Sequence, residues 1–588
     1  MNFHTLALLK QLGLKKFIFI TILSVLASIF EIFGIGSIGP FINIINSPDY
    51  ISENNFLNYF VLNFNLETED LLLYFGLVII IIFIFVNFYK AWLFYLQTKI
   101  SLNFSASMSV SLFKKYLNND YYFFLIRNSN ELAKNIFGEC QLIGNDVIKN
   151  SLVILSQLII ALFIISFCIF LNPRLGMIMI FLGASYYFLI YILLKKWLKR
   201  FGENQLLHAT NRWKIISESL QSVKEIKIFG FFKYLDNFFS TETSKWTNNK
   251  ILYTMVGALP RYLIEIIGVV FLISLTLYLV YYQQQDNVFS FIAVYSFALL
   301  RLFPVFQQIY MALAGLKSAQ SRIKLIYNDF NQKKYLREKK LDSKNQSLIN
   351  ESIKLEELNF KYEKGDFALN KISLNIKSGQ ILGITGYSGS GKSTLVDILL
   401  GLLKVESGKL YIDGKAINIE DYIKYKDNFS YVPQDIFIFA ESLKNNITFD
   451  FENKSIDKVL LKKSISGAQL DEFILNQQDN LETLIHDKGL DISGGQKQRI
   501  GIARALYLNK KITILDEATN SLDSDTEIKI LEHIKKNKKD KIFIIVSHKK
   551  STLKYCDNII FLNKGKIDSE ESYDEFIKSN KDLNKNLT

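Results

Sequence analysis

Six long apolar runs occupy the N-terminal part of the chain, near Phe17–Ile38, Leu71–Tyr95, Leu152–Leu171, Leu175–Leu194, Tyr262–Tyr282 and Val288–Ala312. Each holds about 20 residues or more, enough for a helix to cross a hydrocarbon layer about 30 Å thick. Only Asn172, Pro173 and Arg174 separate the third run from the fourth, which predicts a tight helical hairpin. Past the fourth run, Leu194, Trp197, Leu198 and Phe201 keep the helical period. The polar segments Thr98–Ser151 and Lys195–Lys250 therefore read as helices carried on beyond the apolar layer. Residues 331–350, NQKKYLREKKLDSKNQSLIN, are charged and aperiodic and predict a linker. From Glu351 onward, strand-like runs alternate with helical patterns. The expected architecture is an α-helical membrane domain of six transmembrane helices over 1–330, a linker over 331–350 and an α/β domain over 351–588. The end, from about Lys578, is rich in Lys and Asn and reads as frayed.

Composition agrees with this reading. Of 588 residues, 49% are hydrophobic and 14% aromatic, and the mean hydropathy is positive, which is unusual for a soluble chain of this size. The net charge of +13 admits a nucleic-acid partner, but its distribution favours membrane topology instead. The loop Ser47–Asp70 carries five acids (Asp49, Glu53, Glu67, Glu69, Asp70) and no Lys or Arg, whereas Lys195–Lys250 has eleven Lys and Arg against five acids. Basic connections stay in the cytoplasm. The N-terminus, both long polar segments and, after six crossings, the C-terminal domain are expected there, and no nucleic-acid partner is expected. Cys140, Cys168 and Cys556 lie far apart without a CxxC, which excludes a disulfide framework or a zinc site. The first run follows Lys10, Lys15 and Lys16, is too long for a removable signal peptide and lacks a small-residue cleavage site.

Candidate chemistry lies in the second domain. Gly386–Ser393, GYSGSGKS, fits a phosphate-binding P-loop, with Gly386 and Gly391 in the glycine slots, Ser388, Gly389 and Ser390 between them, and Lys392, Ser393 and Thr394 opening the next helix. Glycines let backbone N–H groups close around phosphate oxygens, and the helix points its positive end at them. Lys392 can reach the β- and γ-phosphates, and Ser393 can ligate Mg²⁺. The flanks suit the motif: QILGIT before it reads as a buried strand and STLVDILLGLL after it as a helix. Asp516 closes the apolar run Ile512–Leu515, where it can support Mg²⁺, and Glu517 follows it, placed to orient or deprotonate an attacking water. His548 and Ser547 follow a further apolar run, Ile542–Val546.

In this order the motifs resemble the ATP-binding cassette of ABC transporters. The resemblance implies ATP and Mg²⁺ as cofactors and assigns roles residue by residue. Tyr362 in FKY would stack on adenine, and Gln434 in YVPQD would bind Mg²⁺ and couple it to the membrane helices. Ser493, Gly494, Gly495 and Gln496 in ISGGQKQR match the signature, Asp523 in NSLD the D-loop and His548 the γ-phosphate switch, with Glu517 as catalytic carboxylate. Three departures stand out: Ile492 where Leu is usual, IHDKG at Ile485–Gly489 in place of VGERG, and Lys549 after the switch histidine in place of Arg. None removes a catalytic group. In the family the signature of one cassette completes the site of another, so one cassette per chain implies a partner. With every motif intact, the expectation is a homodimer with two working sites.

The six runs resemble the exporter-type half transporter. EIFGIGSIGPFINII, ALPRYLIEIIG and SFALLRLFPVFQQI are similar to bacterial flippases of polyprenyl-diphosphate-linked oligosaccharides used in protein N-glycosylation. That resemblance implies a lipid-linked glycan as substrate and a bacterial inner-membrane location with both termini cytoplasmic. Charge supplies independent support. Arg301 lies about 13 residues into the sixth run, roughly 20 Å along it, too deep to snorkel easily. Arg261 and Lys90 lie nearer the cytoplasmic ends of the fifth and second runs. Arginine suits a diphosphate through its fork of donors. Against this, Arg261 can pair with Glu265 four residues on, and Lys90 can snorkel. Asn55–Asn65, as a helix, would present Phe56, Leu57, Phe60, Val61 and Phe64 on one face, to a polyprenyl tail or to the spans. The chain enters its first span directly, so no peptidase domain of the bacteriocin-exporter kind is expected. Three readings stand at this point: an oligosaccharide-lipid flippase, an exporter of another lipid, peptide or drug, and a non-transporting membrane ATPase or nucleic-acid machine.

Overall fold

The computed structural model describes residues 12–46, 50–53, 68–278, 288–332, 348–363, 367–452, 455–485 and 492–579. The Asn55–Asn65 segment, most of the linker, the residues after Ile485 in IHDKG and the last residues of the chain lie outside them. The chain forms two compact units, residues 1–119 with 123–336, and 120–122 with 337–588.

Among the described residues the first unit is built from helices. Its main elements are α1 (Leu14–Gly36), α2 (Ile38–Asn46), α3 (Thr68–Leu117), α4 (Asn150–Leu171), α5 (Pro173–Gln221), α6 (Phe232–Tyr278), α7 (Val288–Ser318) and α8 (Gln320–Asn331). Among the described residues, five helical stretches are long and apolar enough to cross a membrane, namely Leu14–Asn46, Glu69–Leu117, Ser129–Leu171, Phe232–Tyr278 and Phe289–Ser318. The fourth predicted run lies within α5. α3 runs for 50 residues, α5 for 49 and α6 for 47. At 1.5 Å per residue each is about twice a bilayer in length. α5 continues past the apolar layer, as the period after the fourth run predicts, and α3 and α6 extend likewise. Only 11% of the apolar window of Glu69–Leu117 is buried, so α3 turns Ile80, Ile81 and Ile84 outward, as a lipid-facing helix does.

The hairpin between α4 and α5 is tighter than a loop. Asn172 alone leaves helical geometry (φ −151°, ψ 106°), and its side chain accepts hydrogen bonds from the N–H groups of Arg174 and Leu175. Pro173 follows at the first helical position, where its missing N–H is not needed. Gly176 lets the helices touch, since a Cβ there would lie 2.7 Å from the Ile169 backbone. In the helical extensions beyond the apolar layer, buried Arg322 of α8 donates to Asp146 (2.8 Å) and Gln205 (2.8 Å) and pairs with Glu139 at 3.3 Å, tying three helical segments together.

The second unit carries two sheets. The antiparallel one has order β2-β1-β4-β5, from β1 (Ser352–Lys361), β2 (Phe367–Lys377), β4 (Ser407–Ile412) and β5 (Lys415–Ile417). The other has order β10-β9-β3-β8-β7-β6, from β3 (Ile381–Gly386), β6 (Phe429–Val432), β7 (Ile512–Asp516), β8 (Ile542–Val546), β9 (Asn558–Asn563) and β10 (Lys566–Glu571). Its strands β3, β8, β7, β6 and β9 pair in parallel, with β10 antiparallel at one edge. Continuous apolar strands such as IFIIV are what a parallel sheet covered on both faces requires, and every residue of β8 is buried. In register, Ile384 faces Val546 and Val546 faces Asp516, so the chain leaves β3, β8 and β7 at one edge. Open parallel sheets bind ligands along such an edge.

Candidate nucleotide site and membrane charge cluster

β3 delivers the P-loop and α9 (Lys392–Leu399) takes it away. Gly386 (φ 149°), Gly389 (φ 75°) and Gly391 (φ 101°) lie where L side chains are strained. A Cβ on Gly386 would come within 2.1 Å of the Leu562 carbonyl, and one on Gly391 within 2.7 Å of the Ala368 carbonyl. The Lys392 ammonium donates to the carbonyls of Gly386 (2.8 Å) and Tyr387 (2.9 Å), folding across the loop it serves. Burial lowers the Lys392 pKa, while Glu517 and Asp516 pull it back up. Among the described residues the buried hydroxyl of Ser390 has no hydrogen-bond partner, so the loop offers a polar atom that a phosphate oxygen would satisfy. Tyr362 lies edge-on to Phe360 at 4.9 Å, with its hydroxyl 3.1 Å from Thr394 Oγ1.

Asp516 ends β7. Burial raises its pKa, and the Tyr431 hydroxyl donates to it at 3.2 Å. Glu517 then turns into left-handed geometry (φ 48°), its N–H held by the Val546 carbonyl at 3.0 Å. A non-glycine residue there is strained, a device that aims a side chain at a site. One Glu517 oxygen accepts from Gln434 (3.0 Å) and Asn520 (2.8 Å), and the other faces His548 Nε2 at 3.6 Å. Burial, with Lys392 nearby, lowers the pKa of His548 below the usual imidazole value, so its neutral form is favoured. Glu517, Gln434 and His548 thus meet although they are far apart in sequence. Tyr431 and Asn520 join them without having been singled out from sequence. Their signal was position, three residues before Gln434 and three after Glu517. Lys549 donates to the Thr519 carbonyl at 3.0 Å and pairs with Glu527 at 3.6 Å, so the departure from Arg keeps a structural cation.

Ser493 caps α10 (Gly494–Leu508) through a full capping box with Gln496. Ser493 and Gly494 are exposed at that helix start. Gln498 accepts from the Ser521 N–H at 2.8 Å, bracing the signature helix against the segment leading to Asp523. Asp523 itself caps α11 (Ser524–Lys536), accepting from Thr526 N–H at 3.0 Å. Among the described residues no cluster of three or more His, Cys, Asp or Glu could hold a metal alone. Mg²⁺ is usually held by one or two carboxylates together with waters and substrate phosphates rather than by an all-protein cage. Asp516, Ser393 and Gln434 are the residues that would hold it.

The membrane domain holds a second constellation. Glu31 of α1, with a side chain only 1% exposed, pairs with Lys90 of α3 and with Arg301 of α7 at 3.2 Å, and the two cations are 27% and 24% exposed. The Arg301 guanidinium lies 4.9 Å over the Phe83 ring. Arg261 stands apart, paired on the surface of α6 with Glu265 at 3.0 Å. Glu31 is legible in the sequence as the one acid within the first apolar run.

Comparison with known proteins agrees with this architecture. The family model "ABC transporter transmembrane region" matches residues 17–310, and "ABC transporter" matches residues 369–520. The heterocyst differentiation ATP-binding protein HepA of a Nostoc species is 29% identical over 373 residues, 63% of this chain and 60% of that protein. The ATP-dependent lipid A-core flippase of Photobacterium profundum is 32% identical over 231 residues, 39% of each chain. The α-hemolysin translocation protein HlyB of Escherichia coli is 36% identical over 230 residues, 39% of this chain and 32% of that one. The chain thus spans less than two thirds of the length of each of these relatives. A bacterial Atm1-family ABC exporter with ATP bound superimposes with a TM-score of 0.79 over 98% of both chains at 19% identity, a likeness of fold.

Proposed function

The chain belongs to the ABC transporters, and from that premise we propose that it uses ATP hydrolysis to flip a polyprenyl-diphosphate-linked oligosaccharide across a bacterial inner membrane, with both termini cytoplasmic. ATP binds on the P-loop with Tyr362 against the adenine; Ser393, Asp516 and Gln434 would hold Mg²⁺, which would supply neutralisation of phosphate charge. Glu517 orients and deprotonates the attacking water, Gln434 and Asn520 fix its carboxylate, and His548 reads the γ-phosphate. The working molecule is a homodimer in which the exposed Ser493–Gly494 helix start of one chain closes on the P-loop of the other, since a helix N-terminus attracts phosphate.

The observation that carries the substrate reading is the cluster of Glu31, Lys90 and Arg301. One acid faces two bases inside the membrane-spanning helices, which leaves a net positive charge where charge is costly. An anionic diphosphate head answers that imbalance. Arg261 is assigned to the same path, nearer the cytoplasmic end. The test is flipping of lipid-linked oligosaccharide by purified protein in proteoliposomes, with ATPase read on the same vesicles. ATP-dependent movement of the lipid supports the reading; vigorous ATPase without movement sinks it. A second reading, export of another lipid or a polypeptide, draws on the lipid A-core flippase and hemolysin-translocation relatives. It predicts movement of those cargoes instead.

A further inference from the structure

Within the six predicted spans the sequence places only four charged side chains: Glu31, Lys90, Glu265 and Arg301. Three of them, from three different helices, meet at one point, while Glu265 pairs elsewhere with Arg261. Among the described residues the Glu31 oxygens have no partner besides the two cations. Glu31 is also far more buried than either cation. The cations thus keep a side open to a ligand, and the acid does not.

We propose that Glu31 is a specificity-determining residue, an internal anion that occupies Lys90 and Arg301 until a head bearing two or more negative charges displaces it. The inference rests on the diphosphate-lipid reading above and adds a filter to it. A singly charged phosphodiester, such as the head of an ordinary anionic phospholipid, offers the two cations no more charge than the carboxylate already in place. It would also leave that carboxylate buried and unpaired, which is strongly unfavourable. A diphosphate offers more charge and several acceptor oxygens, enough for Lys90 and for the fork of Arg301 at once. Anionic phospholipids vastly outnumber any lipid-linked sugar in a bilayer, so a bare pair of cations would be filled by the wrong lipid. Discrimination of this kind is built from a repulsive element as well as an attractive one. The Phe83 ring, 4.9 Å from the Arg301 guanidinium, helps to hold it in place.

The test uses the full-length protein in phosphatidylcholine nanodiscs, titrated in parallel with geranylgeranyl diphosphate and with phosphatidylglycerol, reading bound lipid and stimulated ATPase. Wild type should prefer the diphosphate. In Glu31→Gln, which keeps shape and removes the charge, phosphatidylglycerol should bind tenfold or more tighter, and the preference should shrink by at least that factor. An unchanged preference overturns the proposal. So does an equal loss for both lipids, which marks a purely structural ion pair. If Glu31→Gln does not accumulate as folded protein, Glu31→Asp keeps the charge but shortens the reach to both cations, and the preference should shift partway in the same direction. No shift there is equally fatal. If the wild type binds neither lipid, the diphosphate-lipid reading itself fails. A mutant that gains phosphatidylglycerol while the wild type ignores the diphosphate would keep Glu31 as a filter and reject only the substrate class.

Discussion

The nucleotide site and the membrane cluster are both gatherings of charge, yet they are built in opposite ways. In the cassette Asp516, Glu517 and His548 lie at or just past the ends of strands, and parallel register lines those ends up. Asp516, Glu517 and His548 are positioned by backbone hydrogen bonds such as the one from Glu517 N–H to the Val546 carbonyl. Around Glu31 no backbone brings the charges together. Three helices, far apart in sequence, each supply one side chain, and helix packing alone makes them meet. A site hung on a sheet edge tolerates changes in loops, whereas one hung on helix packing moves when the helices move. Chemistry that must be repeated identically suits the first, and a grip that must tighten and release suits the second.

The sharpest way to break this contrast is at the sheet edge. Glu517→Gln should lower ATP hydrolysis by about 10²–10⁴-fold, the usual loss on removing a general base. Nucleotide binding should stay intact, because the phosphate contacts come from Lys392 and the loop amides. Turnover near the wild-type rate in the purified variant would take Glu517 out of the chemistry and leave the strand-end geometry without its main consequence.

A smaller effect is expected in the membrane. Arg301→Ala removes a charge-assisted contact worth about 1.5–3 kcal/mol, roughly 10- to 150-fold in affinity for an anionic head. Basal ATPase should persist, since no cassette residue is touched. Arg301→Lys should recover only part of the loss, keeping the charge without the fork. Flipping measured beside ATPase decides the matter: full transport by Arg301→Ala removes the arginine from the substrate path, and loss of both activities makes it structural. Arg261→Ala, which breaks only an exposed pair with Glu265, should impair flipping while ATPase persists; unimpaired flipping removes Arg261 from the substrate path.

The mildest test lies between the two regimes. Tyr431→Phe deletes the hydroxyl that donates to Asp516 and nothing else. A neutral donor to a charged partly buried group contributes about 0.5–3 kcal/mol, and a cation at the same carboxylate would take over part of its work. The apparent Mg²⁺ affinity for ATPase should fall by roughly two- to tenfold, with kcat at saturating Mg²⁺ little changed. A large drop in kcat instead would make Tyr431 part of the catalytic geometry rather than a prop for the metal ligand.

What the sequence determined by itself follows from short-range rules. Apolar run length marked the membrane helices, and the helical period after the fourth run carried α5 beyond the apolar layer. The GYSGSGKS glycines announced a loop that no side chain fits, because its φ values and close carbonyls are local demands of the phosphate cradle. Alternating strands and helices announced an α/β sheet. The tertiary structure alone decided strand order, the strained turn at Glu517 and the arrival of Tyr431 and Asn520 beside Asp516 and Glu517. It also decided the partners of Lys90 and Arg301. Each lone cation in an apolar run could be read as snorkelling, lining a cavity or pairing, since periodicity tells which face of a helix a residue occupies but not which helix that face meets. Glu31 meets both cations because α1 packs against both α3 and α7, a fact that exists only once the helices are assembled.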